Sequence, residues 1–236
     1  MRRIAWFSCG AASAVAAAIS EPDVIAYCDT GSEDEDNDRF RRDCEAQLFD
    51  RPVTVLTNPE YVDTWDVWEK HKYLAGIRGA RCTGALKIVP RVEFQQVGDL
   101  HIFGYTNDAS DISRANRLRE SFPDLDVKFP LIENGLSKVN CLSMIEAKGL
   151  ALPRVYAIGF PNANCIPCVK ATSANYWALV RQEFPDEFER MSELSRRLNV
   201  RLCRINGERA FIDEIPLNHP VTDALVPSCD LLCQTL

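Results

Sequence analysis

Short apolar segments alternate with amphipathic segments over the first two thirds of the chain. The apolar segments have the length and composition of buried strands, and the segments between them place apolar residues at helical spacing. The predicted strands cover residues 4–7, 24–28, 53–56, 101–105 and 127–131, and the predicted helices begin near Ala12 and cover residues 37–49, 64–73, 110–120 and 137–148. Because strands and helices alternate, we expect an α/β fold with a doubly wound, mostly parallel sheet.

The pattern changes after about Pro153. A loop that contains two cysteines is followed by two predicted helices, over residues 175–183 and 186–198, and by a hairpin that turns at Asn206-Gly207. We therefore expect an α/β domain over residues 1–153. The cysteine loop, helices and tail of residues 154–236 are expected to pack on it as a C-terminal, cysteine-containing helical extension.

The composition is that of a soluble globular protein, with 236 residues of which 46% are hydrophobic and 26% charged. Its ten cysteines are scattered irregularly through a long chain. This favours a reducing compartment over a disulfide framework, and we expect a cytoplasmic protein. The formal net charge of −7 opposes general attraction to a phosphate backbone. A nucleic-acid substrate would therefore arrive with a partner protein.

The N-terminus imitates a secretory signal, because Met1-Arg2-Arg3 precedes a mostly apolar segment, residues 4–19. A second apolar strand follows at the distance expected of a βαβ unit. This spacing favours a strand, a tight turn and a helix over a signal peptide. No other apolar segment approaches the length of a membrane span, and we expect no membrane partner.

Three cysteines are candidates for metal chemistry: Cys82, and the pair Cys165 and Cys168 in a Cys-x-x-Cys motif. A two-residue spacer lets one turn present two thiolates to a soft metal centre, and the fold must bring in the third. Four interpretations stay open on spacing alone: an iron–sulfur cluster, a zinc site, a redox dithiol and buried thiols. The chain has no second Cys-x-x-Cys motif, which a structural zinc site usually requires.

Three loops at predicted strand ends are candidate ligand sites, because ligands bind beyond the carboxyl ends of parallel strands. The loop 8–13 has small residues whose N–H groups can surround a phosphate, although it is also typical of a plain tight connection. Asp29-Thr30-Gly31 suits a nucleotide or Mg²⁺ contact, or alternatively an Asx turn. The third loop covers residues 104–117. The acidic segment 33–36 predicts a solvated helix start.

These segments resemble the adenine-nucleotide α-hydrolase-like superfamily, which includes phosphoadenylylsulfate and adenylylsulfate reductases and the PP-loop ATP pyrophosphatases. Ser8-Cys9-Gly10-Ala11-Ala12-Ser13 is similar to the family's pyrophosphate loop Ser-Gly-Gly-x-Asp-Ser, and Asp29-Thr30-Gly31-Ser32-Glu33 resembles its Asp-Thr-Gly-x-Glu strand end. The segment that starts at Gly104 and contains Arg114 and Arg117 is similar to its anion-binding segment. Residues 129–168 resemble its run from a Pro-Ile strand into the cluster loop.

A further segment, 81–90, resembles the Cys-Cys-x-x-Arg-Lys-x-x-Pro motif of the cluster-bearing reductases, with one cysteine missing. The resemblance implies a nucleotide-binding domain and a 4Fe–4S cluster held by Cys82, Cys165 and Cys168. The implied nucleotide-binding residues are Ser8, Cys9, Gly10, Ala11, Ala12, Ser13, Asp29, Thr30, Gly31 and Gly104. Arg114, Arg117 and Lys87 are the implied anion-binding residues, and Cys229 and Cys233 of the tail are the implied catalytic pair.

The resemblance implies an iron–sulfur enzyme of sulfur metabolism with ATP and Mg²⁺ as cofactors. We expect sulfur transfer of the ATP pyrophosphatase type to a nucleic acid, as in tRNA thiolation or DNA phosphorothioation, with a cysteine desulfurase or another sulfur donor as partner. One alternative is adenylylsulfate or phosphoadenylylsulfate reduction, with Cys229 as nucleophile. Another is an inactive nucleotide-binding subunit, because Ala12 and Thr106 replace an aspartate and an arginine of the family pattern. The oligomeric state stays open, with a homodimer as one alternative.

Overall fold

The computed structural model describes residues 1–76 and 79–221. Its strands, in chain order, are β1 (Arg3–Phe7), β2 (Val24–Cys28), β3 (Thr54–Leu56), β4 (Ala75–Gly76), β5 (Gly79–Ala80), β6 (Leu100–Phe103), β7 (Val127–Lys128), β8 (Cys203–Ile205) and β9 (Glu208–Ala210). Its α-helices are α1 (Ala11–Ser20), α2 (Asp36–Cys44), α3 (Thr64–His71), α4 (Arg81–Thr83), α5 (Val89–Phe94), α6 (Ala109–Ser121), α7 (Pro130–Glu133), α8 (Lys138–Ala147), α9 (Arg154–Ile158), α10 (Ala174–Glu183) and α11 (Pro185–Arg197). A π-helical turn, Glu45–Phe49, extends α2, a second one, Gly84–Ile88, joins α4 to α5, and a 3₁₀ turn covers Ile212–Glu214.

Within the described residues, five strands form an all-parallel sheet in the order β3-β2-β1-β6-β7. Alternate residues of a strand face opposite sides of a sheet. On one side, Ala5 and Phe7 of β1 pack in an apolar core with α1 and α8. On the other side, Ile4 and Trp6 pack in a second core with Phe94 of α5 and with α6. The predicted α/β fold with helices on both faces is confirmed.

Local signals in the sequence account for several element ends. Ser137 accepts a hydrogen bond from the N–H of Asn140 and caps α8, as predicted. Gly149 follows that helix with φ of 76°. Asn206 and Gly207 both have positive φ between β8 and β9, so the predicted hairpin is confirmed.

One strand prediction was wrong, and one helical segment was missed. The strand predicted over residues 127–131 ends at Lys128, and the helix α7 begins at Pro130. Proline has no N–H to donate to a sheet, and its fixed φ suits the first turn of a helix. The pattern also gave no helix over residues 81–94, where α4, the π-helical turn 84–88 and α5 follow one another.

A third apolar core joins α3 to the C-terminal elements. Trp65 and Trp68 of α3 pack with Val155, Trp177, Met191 and other buried residues of α9, α10 and α11. This core connects residues on both sides of position 153, and the domain boundary there stays a prediction. In the described parts of the chain, every helix is too short or too polar to cross a membrane.

Candidate functional site

The candidate site lies where the strand order reverses. β1 has β2 on one side and β6 on the other, and ligands of parallel sheets bind beyond the carboxyl ends of the strands at such a point. The loop after β1 and the loop after β6 meet here: a Cβ atom built on Gly104 would lie 2.6 Å from the Cα atom of Ser13. Only glycine permits this approach. The structure thus brings two of the predicted nucleotide-binding segments together.

The hydroxyl group of Ser13 holds the loop after β1. It donates a hydrogen bond to the carbonyl oxygen of Gly10 at 2.9 Å and accepts one from the N–H of Ser8 at 3.0 Å. Cys9 adopts a left-handed φ of 55°, and burial, followed by the charge of Glu33, raises its pKa well above the usual range. Its thiol is therefore neutral. The predicted phosphate loop is a closed turn that leads directly into the N-terminus of α1, a favourable place for an anion.

The segment after β2, Asp29-Thr30-Gly31, forms an Asx turn, which was one of its two predicted interpretations. The N–H of Gly31 donates a hydrogen bond to Oδ1 of Asp29 at 2.9 Å, as in an Asx turn. Gly31 has φ of 64°, and a Cβ atom there would lie 2.3 Å from the carbonyl oxygen of Val62. Thr30 is buried, and its hydroxyl donates to the carboxylate of Glu33.

The cysteine loop is attached to this same segment. Oγ1 of Thr30 lies 3.1 Å from Sγ of Cys165, and Oε1 of Glu33 lies 3.6 Å from it. The backbones of Glu33 and Cys165 form an antiparallel bridge, and the N–H of Ile166 donates to the carbonyl oxygen of Ser32 at 2.9 Å. The thiol of Cys165 is therefore fixed at the edge of the predicted nucleotide site.

The expectation of a solvated acidic segment over residues 33–36 was wrong for its first two members. The side chain of Glu33 is 6% exposed, and Nζ of Lys87 lies 3.7 Å from its Oε1. The side chain of Asp34 is fully buried and accepts hydrogen bonds from Arg154 at 2.8–3.0 Å. Both carboxylates gain cationic partners from distant segments, which the local sequence cannot reveal.

Two of the three predicted cluster ligands share one loop, and the third packs against the same apolar core as one of them. Cys165 and Cys168 are buried in one loop, and Cys82, half-buried at the start of α4, packs against the core that contains Cys168. No group of three or more His, Cys, Asp or Glu side chains in residues 1–76 and 79–221 is arranged to hold a metal ion. A zinc ion needs four ligands within about 2.3 Å of one centre. A cluster instead distributes its thiolates over separate iron atoms and does not require such a centre.

Trp68 provides an observation on whether a sulfur-rich group suits this region. Its side chain is 1% exposed, and its Nε1 has no hydrogen-bond partner within the described part of the chain. Trp68 belongs to the same core as Cys168, against which Cys82 packs. Buried donors are rarely left without acceptors, and hydrogen bonds to cluster sulfurs are common. The core that contains Cys168 therefore holds a buried donor that an acceptor such as a cluster sulfur would satisfy.

The three predicted anion-binding cations do not share one place. Lys87 pairs with Glu33, as described above. Arg114 pairs with Asp111 at 2.9 Å and lies over the ring of Tyr105 in the loop after β6. Arg117 is exposed one turn later in α6 and donates to the hydroxyl of Ser113.

Lys138 is a cation near the phosphate loop that the sequence analysis missed. Its Nζ donates to Oδ1 of Asn162 at 2.6 Å and lies 5.9 Å from the ring centre of Tyr156. The hydroxyl of Tyr156 in turn accepts a hydrogen bond from the N–H of Ala11 at 3.3 Å, at the start of α1. Burial lowers the pKa of Lys138. A lysine directly after an N-cap serine is too common a pattern to indicate this position.

A cavity of about 240 Å³ lies beyond the carboxyl ends of β2 and β3. We call it the strand-end cavity; its lining includes Tyr27, Asp29, Gly31, Asn37, Arg41 and Val55. Tyr27 packs in the same apolar core as Cys9, which connects the cavity to the loop after β1. Burial raises the pKa of Tyr27, so its phenol is neutral.

Cys229 and Cys233, the predicted catalytic pair, lie outside the described residues. Comparison of the chain with protein-family models and with curated proteins gives no match. The structure itself is an α/β domain with a five-stranded parallel sheet, which is compatible with a Rossmann-like nucleotide α-hydrolase fold.

Proposed function

We propose that the protein is an adenine-nucleotide-binding enzyme that uses ATP to transfer sulfur to a nucleic acid and carries a 4Fe–4S cluster beside its nucleotide. The observation that supports this most directly is the 3.1 Å contact between Oγ1 of Thr30 and Sγ of Cys165. Thr30 belongs to the strand end that resembles a nucleotide site, and Cys165 belongs to the motif that resembles a cluster site. A cysteine thiol that contacts a nucleotide-binding segment is close enough for sulfur and nucleotide chemistry to take part in one reaction.

In this proposal, the phosphates of ATP bind at the loop 8–13 and the N-terminus of α1, where helix N–H groups favour anions. Gly104 lets the backbone of this loop pack directly against the residue that follows β6. Mg²⁺ screens their charge, and Lys138 adds a cation close to the helix start. The nucleoside occupies the strand-end cavity, whose lining carboxylates would repel phosphate.

The proposed reaction has two steps. An oxygen atom of the acceptor attacks the α-phosphorus of ATP, the bond to pyrophosphate breaks, and an adenylated acceptor forms. A thiol reduces the persulfide of a donor such as a cysteine desulfurase by two electrons and releases its outer sulfur as sulfide. This sulfide then displaces AMP from the acceptor, so the oxygen leaves with AMP and sulfur takes its place. The chain orients the nucleotide and excludes water from it, and the predicted thiolate set Cys82, Cys165 and Cys168 would hold the cluster. When bound, the cluster would supply an iron site for sulfide.

The test begins with anaerobically purified protein, whose iron, labile sulfide and zinc are counted. Nucleotide binding is measured by calorimetry, and pyrophosphate release is measured with candidate acceptors. We expect about four irons and four sulfides per chain, tight binding of ATP, and loss of iron in Cys165→Ser. Cys44→Ser, a buried cysteine in the core near α1, is the matched control and should keep its iron. Stoichiometric zinc without labile sulfide, or no affinity for adenine nucleotides, would overturn the proposal.

A further inference from the structure

The strand-end cavity contains a buried amide that is only half satisfied. Asn37, in the first turn of α2, lines the cavity and is 2% exposed. Its Nδ2 donates to the carbonyl oxygen of Ala163 at 3.5 Å. Its Oδ1 is buried and has no hydrogen-bond partner in residues 1–76 and 79–221. Exchanging the two amide atoms would bring two oxygens together at Ala163, so the contact fixes their assignment.

An acceptor left in this state is costly. Buried polar groups almost always have a partner, and an unpaired one destabilises a fold by about 1–3 kcal/mol. The bond to Ala163 is longer than the usual 2.7–3.2 Å of an N–H···O hydrogen bond, so the amide is also weakly paired at its donor end. A donor brought by a ligand would satisfy Oδ1.

The surroundings limit what that donor can be. Asp29, Asp38 and Arg41 also line the cavity, and Arg41 pairs with Asp38, so the carboxylate of Asp29 disfavours an anionic group there. The volume of about 240 Å³ lies below the 300–1,000 Å³ of sites for drug-sized ligands. It therefore suits the nucleoside part of a nucleotide rather than the nucleotide with its phosphates. Tyr27 and Val55 provide ring and methyl surface for a flat heterocycle.

We infer that Asn37 determines base specificity: its Oδ1 accepts a hydrogen bond from the exocyclic amino group of adenine. The inference rests on the proposed adenine-nucleotide function. Guanine presents a carbonyl oxygen at the same ring position, which would face Oδ1 as a second acceptor. A site built to hydrogen-bond an amino group rejects analogues that lack it, because its own polar group is then left unpaired.

The test compares three triphosphates by calorimetry: ATP, GTP and purine riboside triphosphate, which differs from ATP only by the missing amino group. We expect the wild-type protein to bind ATP about ten-fold or more tightly than either analogue, which is the lower part of the range for one buried hydrogen bond. Asn37→Leu, of similar volume, should lose this preference and bind ATP and purine riboside triphosphate equally. Asn58→Leu is the matched control, since Asn58 is also a buried asparagine, its amide is hydrogen-bonded at both ends, and it lies outside the cavity lining.

The outcomes separate the two claims. If the wild-type protein binds no adenine nucleotide, the proposed function fails and the inference fails with it. If it binds ATP and purine riboside triphosphate equally, or if Asn37→Leu keeps the wild-type preference, the role of Asn37 is wrong while the proposed function stands. The wild-type comparison needs no variant, so an unfolded Asn37→Leu protein would not block the test.

Discussion

Thr30 and Cys165 are 135 residues apart in the chain, and their side chains lie 3.1 Å apart, Oγ1 to Sγ. The hydroxyl of Thr30 donates its one hydrogen to the carboxylate of Glu33, and the thiol of Cys165 lies within hydrogen-bond distance of both side chains. The buried hydroxyl thereby joins the end of β2 to the cysteine loop. This contact brings the candidate nucleotide-binding segment after β2 and the candidate cluster-binding loop together at one edge of the sheet.

Thr30→Val should loosen the cysteine loop while leaving the shape of the side chain nearly unchanged. Valine cannot pair with Cys165 or Glu33, and we expect a loss of about 1–3 kcal/mol in the free energy of unfolding. In anaerobic protein, the iron content after gel filtration should fall below the wild-type value. Thr54→Val, on the exposed face of β3, should change neither quantity. Equal iron retention in Thr30→Val and wild type would contradict this role.

Gly104→Ala should force apart the loops after β1 and β6, which meet at this glycine. The new Cβ would meet backbone atoms of Ser13 and Ala12 at 2.6–2.9 Å, and backbone cannot move aside as a flexible side chain can. We expect a loss of about 1–3 kcal/mol in stability, as for overpacking elsewhere, together with at least ten-fold weaker ATP binding.

Gly98→Ala separates this effect from general destabilisation. Gly98 has a positive φ but open space around its Cβ position. The alanine variant should lose about 1–2 kcal/mol because of its left-handed backbone and should bind ATP normally. If Gly104→Ala binds ATP as tightly as Gly98→Ala, the phosphates do not lie where the loops after β1 and β6 meet.

Ser13→Ala should disturb the phosphate loop from within. The variant leaves the N–H of Ser8 and the carbonyl oxygen of Gly10 without the hydroxyl that both use. Thermal unfolding should show a loss of about 1–3 kcal/mol, and calorimetry should show weaker ATP binding. Ser195→Ala, which also removes a buried hydroxyl, should cost stability without changing ATP affinity. Normal ATP affinity in a folded Ser13→Ala protein would argue against the loop as the phosphate site.

His101 makes stability depend on pH. It is 1% exposed and accepts a hydrogen bond from Nε1 of Trp6 at its Nδ1, and burial lowers its pKa to about 4. Above pH 6.5 both folded and unfolded states are neutral at this residue. As pH falls from 6.5 to about 4, only the unfolded state takes up the proton, so stability should fall by up to about 1.4 kcal/mol per pH unit.

Chemical denaturation between pH 4 and pH 8 measures this dependence. His101→Gln keeps an acceptor for Trp6 without a titrating ring and should flatten the slope between pH 4 and 6.5. The other titrating groups are the same in both proteins, so the difference between the two curves isolates His101. Parallel curves would mean that another group causes the acid sensitivity.

Much of the fold could be predicted from the sequence because its signals are local. Period-two and period-3.6 patterns locate the strands and helices, Ser137 and Gly149 mark the ends of α8, and Asn206-Gly207 marks a hairpin. The strand predicted through Leu131 failed because Pro130 outweighs the β-branched residues around it. The helical segment 81–94 was missed because its pattern is interrupted by a π-helical turn and by Pro90.

The candidate site was less predictable because its contacts are long-range. The local sequence around Glu33 and Asp34 predicts a solvated helix start. In the fold these carboxylates instead pair with Lys87 and Arg154, which come from other segments of the chain. Lys138 was also unpredictable, because it is linked to the start of α1 through Tyr156, whose ring it faces and whose hydroxyl accepts from the N–H of Ala11. The sequence could not indicate the half-satisfied amide of Asn37, because this property depends on the lack of a donor to Oδ1 in the described part of the folded chain around it.

The most direct measurement is an anaerobic crystal structure with a non-hydrolysable ATP analogue, collected with anomalous data at the iron and zinc absorption edges. The account predicts an iron signal at Cys165, phosphates against the loop 8–13 and Gly104, and the adenine amino group at Oδ1 of Asn37. A zinc signal at the cysteines together with a nucleotide bound away from the crevice between β1 and β6 would contradict it.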